Sequence, residues 1–120
     1  MIKGNLMKSG IKKIKKVVNI TVSSSPGGVP GFFNVTVAAV VTPPTAGCTP
    51  TNNTPTATLF KINGGVATLV GSKPMSPPTG NSSAVFNMQP SGTYQGSVSV
   101  DWLCMSTVNE SGASSATAVP

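Results

Sequence analysis

The sequence predicts an all-β protein, a single β-sandwich that follows a basic N-terminal arm. Three observations carry that expectation. Short runs of alternating apolar and polar residues recur along the chain, the period of a strand with one dry face. Turn-forming clusters separate those runs, built from 13 Gly and 11 Pro. Beyond the arm, no stretch holds helical spacing. At 120 residues the chain makes one domain with a modest core.

Residues 1–16 form the arm. Met7, Ile11, Ile14 and Val18 fall at helical spacing with lysines between them, which suggests a short cationic amphipathic turn, while Gly4 and Gly10 oppose a long helix. The body is expected over 17–105. Its first strand is Val17–Val22, with Val18, Ile20 and Val22 on one face, and Ser23–Gly31 follows as a linker. Phe32–Thr42 is the second strand, lined on one side by Phe33, Val35, Val37, Ala39 and Val41. Pro43–Pro55 reads as a loop holding Cys48, because proline removes backbone donors and fixes φ.

Ala57–Ile62 and Val66–Val70 read as a hairpin across Asn63-Gly64-Gly65, with Phe60 and Ile62 facing in. Ser72–Ser83 reads as a second loop. Ala84–Met88 is a short strand with Ala84, Phe86 and Met88 inside. Gln89–Gly92 turns the chain into Tyr94–Met105, the strand on which the rest is organised. There Tyr94, Gly96, Val98, Val100, Trp102 and Cys104 share one face, and Gln95, Ser97, Ser99 and Asp101 share the other. Residues 106–120 are small and polar, a weakly structured tail or an edge strand. The expected core is Phe33, Val35, Val37, Phe60, Ile62, Phe86, Val98, Val100 and Trp102. The Trp is read as core rather than as a carbohydrate platform.

Strands of this number and spacing fit an immunoglobulin-like or a jelly-roll-like sandwich. The run Gly92-Thr93-Tyr94 followed by Val98 and Val100 resembles the late strand of immunoglobulin-like domains, where a Tyr near the strand start anchors a corner. The resemblance covers about ten residues. The Cys here stands ten residues after the Tyr rather than two, and Trp102 lies on the same strand, so the resemblance implies the architecture only.

Composition narrows the function. Charged residues make up 8% of the chain, against about 25% in an average soluble domain, and Ser and Thr take the polar positions. Six of the eight basic residues are Lys3, Lys8, Lys12, Lys13, Lys15 and Lys16. From Val17 onward only Lys61, Lys73, Asp101 and Glu110 are charged, and they sum to zero. The chain is a neutral body with a basic arm. Val35–Val41, the longest apolar stretch, falls far short of the ~20 residues of a membrane span. The Lys-rich start lacks the apolar run of roughly 7–15 residues of a signal peptide, so no cleaved signal is expected within this chain.

An enzyme is not expected. There is no His, and Asp101 and Glu110 are the only side-chain carboxylates, whereas acid–base chemistry needs a titratable pair in a cleft. Gly27-Gly28 and Gly64-Gly65 lack the helix a phosphate loop requires. Two cysteines without His make no zinc site. Nothing calls for a cofactor or a small-molecule substrate. Cys48 and Cys104 are read as a disulfide, with a pair of free thiols or an intersubunit bridge as alternatives. Asn19, Asn34, Asn52, Asn81 and Asn109 match the N-glycosylation pattern, and Asn34 is the least suited because it sits within a strand.

These features point first to a structural subunit of an extracellular or cell-surface filament, pilus-like, that forms homo-oligomers by strand addition. The joint is expected in the arm and first strand: Lys8, Lys12, Lys13, Lys15, Lys16, Val18, Ile20 and Val22. The alternative within the first strand's reach is that Val17–Val22 pairs inside its own sandwich. A small viral capsid or decoration protein, its basic arm on nucleic acid in a virion, is a second reading. An adhesin-type module that recognises sugar or protein is a third.

Overall fold

The computed structural model describes residues 13–14 and 18–120, with the backbone alone at 13, 14, 18 and 52–54. The described chain is all strand and turn, and none of it is a helix able to cross a membrane. Its strands are β1 (Lys13–Ile14), β2 (Val18–Pro26), β3 (Phe32–Val41), β4 (Thr49–Asn63), β5 (Val66–Pro74), β6 (Gly80–Pro90), β7 (Gly92–Leu103), β8 (Thr107–Ala113) and β9 (Thr117–Val119). They form two sheets. The larger runs β1-β8-β7-β4-β5, with β9 also on β7, and the smaller runs β2-β3-β6. All pairs are antiparallel except β1 with β8. The fold is β-sandwich-like, with one apolar core between the sheets.

β7 sets the face of every neighbour. Tyr94, Gly96, Val98, Val100 and Trp102 are buried and the residues between them are half-exposed, as the alternation requires. The register on β4 pairs Ala57 with Val98 and Leu59 with Gly96. The smaller sheet answers with Val35, Val37, Ala39 and Val41 from β3, Ala84 and Phe86 from β6, and Val22 from β2. Gly96 lets the sheets come together: a Cβ there would lie 2.9 Å from Val37 Cγ2 and 3.1 Å from Val22 Cγ2. Any larger residue would force the layers apart.

Several expectations need correction. Phe60 and Ile62 do not face the core; Ala57 and Leu59 do, and Phe60 and Ile62 are half-buried on the outer face. Apolar residues stand on both parities of Leu59-Phe60, so the strand's own period cannot choose, and pairing with β7 chooses for it. Phe33 is half-buried at the edge of the core. Met88 is 44% exposed rather than inside. A bulge at Phe33/Val35 and a positive φ of 58° at Met88 turn that residue out, where its N–H donates to Asn34 Oδ1 at 3.3 Å.

The expected loops are shorter than read. β4 starts at Thr49, so most of Pro43–Pro55 is strand. Thr49–Thr51 pairs with Asp101–Leu103, and a bulge before Thr56 takes in Pro55, which is buried. Beyond Thr56 this segment has outrun β5, so Pro50 sits on an edge, where a missing donor is tolerated. The Ser72–Ser83 loop shrinks to Met75–Thr79, and the linker Ser23–Gly31 begins as strand through Pro26. Residues 107–119 form β8 and β9 along β7. Lys13–Ile14, expected in a helical turn, is a strand in parallel register with Asn109–Glu110.

Candidate functional site: the two sides of the paired sheets

The sequence-predicted pairs come together on β7. Cys48 and Cys104 form a disulfide, with Cys48 buried at the entry to β4 and Cys104 just past the end of β7. No free cysteine remains. At the other end of β7 the Tyr94 hydroxyl donates to the Pro90 carbonyl at 2.6 Å, across the corner where the chain leaves one sheet for the other. Burial raises the Tyr94 pKa above its ordinary 10.0, because an ionised phenol would lose its water.

The two carboxylates part company. Asp101 lies on the outer face of its sheet, half-buried, and accepts from Asn109 Nδ2 at 2.8 Å. Glu110, in the segment read as a weak tail, is fully buried on the inner face, and the Trp102 indole N–H donates to its Oε1 at 3.0 Å. The sheet stands between the two groups. A lone acidic residue among small polar ones carries no parity signal, so its burial was invisible before β8 was paired to β7. Among the described residues no group of His, Cys, Asp or Glu is arranged to hold a metal.

The glycosylation candidates separate by exposure. Asn19 and Asn81 are exposed. Asn109 directs its amide nitrogen at Ser99 Oγ, the Val100 carbonyl and Asp101, and Asn34 accepts from Met88. The Asn52 side chain lies outside the described residues. So do Lys8, Lys12, Lys15 and Lys16 of the arm, and Lys13 enters only through its backbone register with Asn109. Val18, Ile20 and Val22 belong to β2, which pairs with β3 in this chain's own smaller sheet.

The molecule has a covered side and an open side. On one, β2 packs near β7, β8 and β9, and β1 lies outside β8. On the other, β5 ends the larger sheet and β6 ends the smaller, with an open groove between them. Lys73 spans that gap: its ammonium donates to the Val85 carbonyl of β6 at 2.7 Å and lies 5.6 Å from the centre of the Phe86 ring. Val66 and Leu69 of β5 are 64% and 61% exposed. Sequence reading placed β5 correctly in a hairpin but missed that, among the described residues, it is the edge of its sheet. The available signal was Val66-Ala67-Thr68-Leu69-Val70, apolar on both parities yet without charge. Comparisons with protein-family models, with curated proteins and with solved structures find no match.

Proposed function

We propose that this chain is a structural subunit of an extracellular, pilus-like filament whose copies join at sheet edges. One observation carries the reading. β5 is a nine-residue edge strand with exposed apolar side chains and, among the described residues, no second neighbour. Folded proteins usually blunt such an edge with charge, proline or a covering loop, because bare strand backbone is a template for another chain. Here the one charged residue of β5, Lys73, is drawn back onto β6. The sparse charge of the body and the separated carboxylates favour assembly over catalysis. The disulfide favours an oxidising compartment outside the cytoplasm.

The strand order β2-β3-β6 against β8-β7-β4-β5, with the Tyr94 corner, supports an immunoglobulin-like topology over a jelly roll. A second functional reading rests on the charge distribution. Six lysines within residues 1–16, ahead of a neutral body, suit a virion protein whose arm neutralises packaged nucleic acid. Light scattering on a size-exclusion column, with negative-stain images, tests both. Salt-insensitive particles free of nucleic acid support the filament subunit. Particles that release nucleic acid at high salt support the virion protein. A monomer at every concentration removes both and leaves the adhesin-type module.

A further inference from the structure

We infer that two copies of this chain join through β5 itself, antiparallel across a two-fold axis at Thr68. This names one joint of the assembly reading above and rests on it: a two-fold seam pairs two copies and closes, so a filament also needs a second contact on another surface. The β4–β5 hairpin turns on Gly64-Gly65, with φ of 58° and 83°, and closes with Asn63 opposite Val66. In such a two-residue hairpin the closing pair exchanges its backbone hydrogen bonds, and the pattern alternates from there. Val66 and Thr68 therefore turn their N–H and C=O groups toward β4. Ala67 and Leu69 turn theirs away, to the bare side.

The two outward residues set the register. Ala67 of one copy meets Leu69 of the other, each exchanging a pair of backbone hydrogen bonds, and Thr68 meets Thr68. Large opposes small at both outward pairs. Through the β4 register Ala67 and Leu69 lie on the same face as Ile62 and Phe60. The second copy's Leu69 thus extends that half-buried apolar group instead of leaving it at a rim. A bulge between the Leu59 and Phe60 pairs leaves Val70 without a β4 partner, and Lys73 ties the strand to β6 beyond it. The seam therefore covers Val66–Val70.

Charge selects the occupant. Neither β5 nor β6 carries a carboxylate, so the basic arm finds no counter-charge on the open side. The carboxylates of the body are on β7 and β8. A second β5 meets no repulsion either, because the two Lys73 residues fall at opposite ends of the seam. A neutral edge of this kind fits a copy of itself better than it fits the arm.

The test uses the full chain. Thr68→Cys introduces the only free thiol, since Cys48 and Cys104 are bonded to each other. Oxidised at micromolar concentration, it should give a disulfide-linked dimer, while Ser25→Cys, exposed on the other sheet, should not. Ala67→Pro removes an outward donor without touching the β4 ladder, and Leu69→Lys places charge in the seam. Each should raise the dimer dissociation constant at least tenfold, with unchanged circular dichroism. If the wild type assembles but both variants assemble equally well, the joint lies elsewhere and the assembly reading survives. If the wild type stays monomeric at every concentration, both fall.

Discussion

β5 and β7 belong to the same sheet, separated only by β4, and they have opposite fates. β7 buries Tyr94, Val98, Val100 and Trp102, while β5 buries none of its side chains. Both strands are rich in Val and neither is strongly charged. The difference is position. β7 has β4 on one side and β8 and β9 on the other, and its inner face lies against the smaller sheet. Among the described residues β5 pairs with β4 alone, and its side chains lie outside the core. Apolar content states what a strand can bury; its place in the sheet states whether anything covers it.

That contrast can be broken by mutation, starting on β7. Trp102→Ala should cost about 3–5 kcal/mol, from lost burial and the cavity left behind. It also strips the buried Glu110 carboxylate of its indole donor. A chemical melt that moves by less than about 1 kcal/mol would mean the core reading of Trp102 is mistaken. Next, replacing both cysteines by Ala should cost about 4 kcal/mol by freeing the 56-residue separation in the unfolded chain. The same loss should follow reduction of the wild type.

Val100→Ala should cost roughly 1–3 kcal/mol through lost methyls, read from the urea midpoint at constant slope. Tyr94→Phe should cost about 1 kcal/mol through the lost bond to Pro90. This site also has a pH signature. The folded pKa of Tyr94 lies above its unfolded value, so its contribution is fully present below about pH 10 and is lost as pH rises through the folded pKa. Thermal midpoints of the wild type should therefore fall in strong alkali, and Tyr94→Phe should flatten that fall. Equal alkaline slopes in the two proteins would assign the loss to other groups.

The smallest effect belongs to β5. Leu69→Ser, measured at a concentration where the chain is monomeric, should change stability by less than about 0.5 kcal/mol, as expected for an exposed side chain. A loss above about 1 kcal/mol would show that β5 packs against something within its own chain, and the contrast with β7 would collapse.

Periodicity and turn residues by themselves determined the all-β class, the face of β7 and β3 and a hairpin across Asn63-Gly64-Gly65, and a count of two cysteines offered the candidate pair. Those elements are legible because a strict two-residue alternation over ten residues admits one orientation, and a Gly-Gly step between two apolar runs admits few backbone paths. Where apolar residues stand on both parities, as in Leu59-Phe60, or on neither, as in residues 107–119, local pattern is silent. Tertiary pairing decided there. The register on β7 turned Leu59 in and Phe60 out, bulges turned Met88 to solvent, and the β8 ladder carried Glu110 under Trp102. The place of β5 at the edge of the described sheet was also decided only in three dimensions, because a sheet ends where no further strand pairs. Pairing joins residues far apart in the chain, so no window of neighbouring residues records it.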